Sequence, residues 1–318
     1  MQNKITLEEL ERRIKAGEIG ELEIRRYFRT NENLSIKPFF PGIEPEPNTV
    51  ETPSSDVITT FRASFGIGDV LINEQRSARD LEFRQHVRSG SKPIIVARGD
   101  SWFLHPLLWE TIDWLRGGYA VHSFDWPGDT LDDILADKAK WQAAIQDDAA
   151  DIFMLSGGGN DVIGGGAIAS HLNHFNGNIS NPAEYLKPSY HALVDSCLMK
   201  IQEVFEGVLK LSRKARIICH GYDRVIPNGG KWLGNPMSSI GIMDPVLQKK
   251  ITDLMIDNLN QRLSNLAKQF APRVYHIDLR GVVTLGWDDE LHPSEAGFRQ
   301  VASHFRGVID LLNPPLIA

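Results

Sequence analysis

Cysteine is nearly absent from this chain. In 318 residues only Cys197 and Cys219 occur, both in apolar surroundings and at no metal-binding spacing. They make neither a disulfide framework nor a zinc motif, and they read as reduced, buried thiols in a reducing compartment. A basic excess is missing too. Lys and Arg number 34 against 41 Asp and Glu, a net charge of -7, so the electrostatic footprint of a nucleic-acid binder is not there. No apolar run is long enough to cross a bilayer. The opening MQNKITLEELERRIK has no apolar stretch, so it is no signal peptide; the default expectation is a cytoplasmic protein, with signal-less export left open. Nor is there a Gly-x-Ser-x-Gly elbow or a glycine loop ending in Gly-Lys-Ser/Thr, which argues against two common nucleophile and phosphate sites.

What remains is a chain of ordinary composition, ample for a sizeable core, whose two parts differ. Residues 1–90 form an N-terminal helical and proline-rich segment. Thr6 caps a short helix with Leu7, Leu10 and Ile14 on one face, and a second helix is predicted over 21–28. Prolines at 38, 41, 45, 47 and 53 predict an extended connector. DVITTF (56–61) can form a strand, and NEQRSARDLEFRQHVRSG (73–90) a helix. This segment is a candidate docking site for a protein partner, or a wrap around the rest. Residues 91–318 form the second domain, where strand and helix alternate. PIIVAR, YAVHSF, DIFMLS, ARIICHGY and RVYHIDL read as five buried strands. Helical patterns lie at 103–118 and 129–146, from Pro188 to about Lys214, and from Pro293 onward. The alternation predicts a parallel sheet covered on both faces, with ligands bound beyond the carboxyl ends of the strands.

Chemistry-bearing residues follow those strands. After the first comes Gly99-Asp100-Ser101, after the second Gly128, after the third Gly158-Gly159-Asn160-Asp161, and after the fifth Asp289-Glu290-Leu291-His292-Pro293. A serine hydroxyl needs a base, an imidazole suits that task, and a carboxylate three residues away can fix its tautomer. The Ser101 and Gly128 amides and the Asn160 side chain can face a developing oxyanion. Each group also has a plain reading: Gly-Asp-Ser and Gly128 as turns, the glycines before Asn160 as a loop or anion nest, His292 as part of a helix start. Their order and their placement after successive strands single them out.

These segments resemble the four blocks of the GDSL (SGNH) hydrolase family over residues 93 to about 312. The resemblance implies a three-layer α/β/α, flavodoxin-like SGNH hydrolase fold with a parallel sheet of about five strands. It implies a serine esterase or lipase-type hydrolase needing no cofactor and no metal. Ser101 would be the nucleophile, His292 the base and Asp289 its orienter, with Ser101, Gly128 and Asn160 as the oxyanion hole. Known activities of the family run from esterases, thioesterases and lysophospholipases to carbohydrate deacetylases. The aromatic pair Trp102 and Phe103 replaces the family's small residue and Ser or Thr after the nucleophile. Asp288 is a second acid beside Asp289, and the three-residue spacing favours Asp289.

Trp102, Phe103, His220 and Trp232 are the candidate substrate-pocket residues. Trp232 belongs to a long apolar insertion, 221–244, suited to an acyl chain. An acyl ester such as a lipid or lysophospholipid is the expected substrate. A carbohydrate O-deacetylase and a non-catalytic binding module on the same fold are the alternatives. His171 and His174 could share a helix face, but no third ligand completes a metal site.

Overall fold

The computed structural model describes residues 4–31, 34, 42–51, 67–90 and 93–313. The proposed strand at 56–61 lies outside the described residues. The N-terminal part holds α1 (Leu7–Lys15), α2 (Glu21–Ile24) and a two-stranded antiparallel sheet of β1 (Phe28–Thr30) and β2 (Ile43–Pro45). Two expectations are corrected here. The second helix stops at Ile24, passes through a 3-10 turn over Arg25–Tyr27, and gives way to strand at Phe28. The proline-rich stretch is not all connector, because Pro45 ends β2 opposite Phe28; a two-stranded ribbon tolerates proline at such an edge. Leu7, Leu10, Ile14, Ile24, Phe28 and Val50 bury themselves in a small core completed by Leu71 and Leu107.

The helix α3 (Ile67–Arg88) follows, and then the main sheet: β3 (Ile94–Arg98), β4 (Ala120–Ser123), β5 (Ile152–Leu155), β6 (Arg216–His220) and β7 (Val274–Ile277). All pairings are parallel, in the spatial order β4-β3-β5-β6-β7. Counted from β3 this is 2-1-3-4-5, the flavodoxin-like arrangement. β3 and β5 are buried at every residue, as central strands covered on both faces must be.

The helices form two layers. α3, α4 (Thr111–Arg116) and α11 (Glu295–Leu312) belong to one, with α3 against β4 and α11 against α4. α5 (Leu131–Ala136), α6 (Lys138–Asp147) and α10 (Pro245–Gln269) pack on α8 (Pro188–Leu211) in the other. Short helices α7 (Gly159–Ile163) and α9 (Gly234–Ser239) complete the set. Each fully buried Leu, Ile or Phe of this core contributes about 1.5–3 kcal/mol.

Several element limits differ from expectation for local reasons. α4 is far shorter than 103–118, because the Glu110 side chain caps it at Ile112 N–H. The 129–146 pattern breaks at Asp137 into α5 and α6. Pro293 does not open the last helix; Ser294 caps it by accepting from Gly297 N–H at 3.2 Å. α10 was not among the predicted elements at all. Its start has a clear signal, since Asp244 caps and Pro245 takes the first position.

Candidate functional site

The strand order reverses at β3, whose neighbours are β4 and β5, and a crevice opens between the loops leaving β3 and β5. Ser101 lies three residues beyond β3. Its turn is tied by Asp100, whose carbonyl accepts from Phe103 and Leu104 N–H at 3.0 Å each. Asp100 Oδ1 accepts from Trp102 N–H at 3.0 Å and from Ser156 Oγ at 2.7 Å. The turn has room only for glycine at 99, where a Cβ would stand 2.7 Å from the Phe103 ring and 2.8 Å from Ser156 Cβ.

The loop after β7 brings His292 to the serine. His292 Nε2 is 2.8 Å from Ser101 Oγ, and Nδ1 is 2.7 Å from Asp289 Oδ2. Asp289 Oδ1 accepts the N–H groups of Leu291 and His292 at 2.7 Å each. Burial alone would raise the Asp289 pKa. The imidazolium charge and these three donors outweigh it and bring the carboxyl down to about 2. Burial works against a charged His292 as well, but Asp289 reverses the balance and holds the imidazole above its ordinary value. Asp288 makes no contact of this kind; burial and the neighbouring Asp289 raise its pKa.

Asn160 lies in the first turn of α7, after β5. Its Nδ2 donates to the Asp129 carbonyl at 2.6 Å, and an amide carries a second hydrogen for another acceptor. The next residue, Asp161, accepts from Leu131 N–H at 2.9 Å, and Asp129 is paired with Arg98 of β3. The Gly128 turn, with φ of +80°, is thereby tied through Asp129 and Leu131 to β3 and to α7.

Ser101, His292 and Asn160 face one cavity of about 610 Å³, its open mouth included. Trp102 is on its wall, and its Nε1 donates to the Leu291 carbonyl at 3.2 Å. The remaining wall is almost wholly apolar: Val162, Ile163, Ile168, Val225, Leu233, Met255, Ile256 and Leu259. Thr252 brings the one other hydroxyl besides Tyr222, and it is occupied with the carbonyls of Gln248 and Lys249.

Gly128, Phe103, His220 and Trp232 are not on this wall. Phe103 and His220 form an aromatic layer behind Trp102, with His220 stacked on the indole at 5.5 Å and tilted against Phe103 at 5.8 Å. Burial pushes the His220 pKa down to about 3, so it is a neutral packing group. Trp232 is buried, with its backbone N–H on Glu290 at 3.0 Å. His171 and His174 share no α-helix, since a 3-10 helix ends at His171, and His171 Nδ1 meets Ser189 Oγ at 3.1 Å. Among the described residues no group of three His, Cys, Asp or Glu side chains is placed to hold a metal ion. No helix among them is long and apolar enough to cross a membrane.

Three contributors escaped the sequence. Tyr222, just past β6, stands at φ +65°, unusual for a bulky residue. Its hydroxyl donates to Asp100 Oδ2 at 2.5 Å and accepts from Gly159 N–H at 3.0 Å, joining the serine turn to the Asn160 loop. His105 is fully buried and meets His292 edge-on, with ring centroids 5.0 Å apart. Burial, then the charge of His292, keeps its pKa low. Nδ1 of His105 accepts from Leu107 and Leu108 N–H, which fixes the neutral tautomer with the proton on Nε2. α10 supplies Met255, Ile256 and Leu259 to the cavity, and its signal in the sequence is an apolar residue at every fourth position, Leu247, Ile251, Met255, Leu259 and Leu263.

No family model matches the sequence, and no curated protein does. Solved structures with a similar chain path include an extracellular lipase from Streptomyces rimosus, 15% identical over 68% of this chain and 99% of that one, with a TM-score of 0.47. Another is a phospholipase A1 from Streptomyces albidoflavus, 16% identical over 67% and 98%, TM-score 0.43. A third is a carbohydrate esterase of family 3 from Talaromyces cellulolyticus, 14% identical over 69% and 98%, TM-score 0.42. At this identity the likeness concerns layout and not chemistry.

Proposed function

We propose that this chain is a serine ester hydrolase acting on an ester with an aliphatic acyl group, such as a lipid or lysophospholipid. The carrying observation is the unbroken contact from Ser101 Oγ through the His292 ring to Asp289, at 2.8 and 2.7 Å, beside an apolar cavity. In this reading His292 Nε2 takes the Ser101 proton as Oγ attacks the ester carbonyl carbon. The resulting oxyanion is met by the Ser101 amide and Asn160 Nδ2, which face the cavity, and the Gly128 amide, off the cavity wall, is the third donor that the family resemblance implies. Collapse of the tetrahedral species breaks the bond to the alcohol, which leaves with the proton from His292. Water then repeats the sequence on the acyl-serine, giving its proton to His292 and releasing the acid with Ser101 restored. Asp289 stays ionised and holds the ring in the required tautomer throughout.

The wall favours one acyl class over the other. A carbohydrate held at this serine needs hydrogen-bond partners for its hydroxyls. Val162, Ile168, Leu233, Met255 and Leu259 offer none. A fluorophosphonate probe is expected to label the wild-type protein and not Ser101→Ala. In a panel of p-nitrophenyl esters, turnover is expected to rise with acyl length. Equal labelling of both proteins, or no hydrolysis of any ester, would sink the reading. Preferential release of acetate from acetylated sugars would instead establish the deacetylase.

A further inference from the structure

Glu290 lies between Asp289 and His292, and the mechanism above does not use it. Its carboxylate is fully buried. Oε1 accepts backbone N–H groups from Asn228 and Gly230 at 3.0 Å and from Gly234 at 2.9 Å. Oε2 accepts from Trp232 at 3.0 Å and Leu233 at 2.8 Å. The Glu290 carbonyl takes a sixth donor, Ile226 N–H, at 3.2 Å. Among the described residues no Lys or Arg pairs with this carboxylate, so main-chain dipoles alone offset its burial, as in an anion nest. The main chain closes this tightly because residues 230 and 234 are both glycine: a Cβ would stand 2.7 Å from Glu290 Cδ at 230 and 3.0 Å from Glu290 Oε1 at 234.

The gripped stretch runs between two wall residues of the cavity, Val225 and Leu233, while Leu291 and His292, next to Glu290, form another part of that wall. One carboxylate thus fastens the 226–234 loop to the turn that carries the base. We infer that Glu290 is a positioning residue that sets acyl-chain selectivity, holding Leu233 and Val225 as a fixed side of the acyl site. This rests on the ester-hydrolase reading above.

Two variants test it. In Glu290→Gln one oxygen becomes an amino group, which cannot accept, so at least two of the five N–H donors lose their partner. Gly230→Ala leaves the carboxylate in place and pushes the loop off it. Hydrogen exchange of the 228–234 amides, read by mass spectrometry on the intact protein, is expected to quicken at least about tenfold in both variants, as loss of charge-assisted bonds implies. The ratio of kcat/KM for p-nitrophenyl decanoate to that for the acetate is expected to fall about tenfold. The fall should appear in the KM for decanoate. Exchange within threefold of wild type in both variants, or a chain-length ratio within twofold, overturns the inference. Absence of Ser101-dependent hydrolysis in the wild type overturns the ester-hydrolase reading and the selectivity role with it; the exchange data still decide by themselves whether Glu290 holds the loop.

Discussion

Asp289 divides its two oxygens between structure and chemistry. Oδ1 fixes the turn through two backbone amides, and Oδ2 fixes the imidazole. The direction of the His292 shift gives a pH dependence. The proposed base must be neutral to act, and its pKa is raised, so kcat/KM falls as pH drops through a midpoint above the ordinary 6.5. Asp289→Asn removes the cause of that rise. It is expected to cut kcat by roughly 10³–10⁴-fold and to move the remaining midpoint downward, as a pH–rate profile on a short ester would show. An unmoved midpoint would mean that Asp289 does not set the imidazole's charge. Ser101 and Asn160 were legible in the sequence because each follows a strand at a short offset, and Asp289 and His292 because a carboxylate three residues before an imidazole can orient it. Glu290 and Tyr222 were not. Their contacts depend on a loop distant in sequence and on a backbone angle, neither of which residue type reveals.

The helix α3 shows the same limit at the next scale. Its pattern reads as a helix, yet nothing in the pattern says where Arg79 points. In the structure Arg79 is buried against Glu110 and Asp113 and donates to the Phe103 carbonyl at 2.9 Å, just behind the serine turn. The helix assigned by sequence to the N-terminal segment therefore braces the loop that carries Ser101. Arg79→Met is expected to destabilise the protein by about 3–5 kcal/mol, because it leaves the Glu110 and Asp113 carboxylates buried with one cation fewer. Urea denaturation measures this, and a change under 1 kcal/mol would show that the network is not needed. α10 was missed for a different reason. The apolar insertion 221–244 runs straight into it, since Asp244 at the insertion's limit is the cap of the helix that follows.

At the scale of the molecule, burial lowers the pKa of four histidines among the described residues, His105, His171, His220 and His276, and so favours their neutral forms. His220 has a folded-state pKa of about 3 against 6.5 when exposed. Between those values the unfolded chain binds more protons, so this contribution to stability is lost as pH falls below 6.5. At about pH 4.5 the loss from His220 is on the order of 2–3 kcal/mol. His220→Phe, set among Trp102, Phe103 and Phe305, is expected to shrink the stability difference between neutral and acid pH by that amount in thermal or urea unfolding. An undiminished difference would place the acid sensitivity elsewhere. The parallel sheet and its two helical layers were readable from alternation, and the flavodoxin-like arrangement only as an implication of the family resemblance, whereas these protonation states depend on burial that only the assembled layers create. The grip of Glu290 has an evolutionary consequence. It recognises the main chain, so beyond Gly230 and Gly234, which its anchor needs, it demands no particular side chain of the loop. Residues such as Val225 and Leu233 are free to drift while the fastening persists, and substrate range can be retuned, by descent or by a protein engineer, without rebuilding the scaffold.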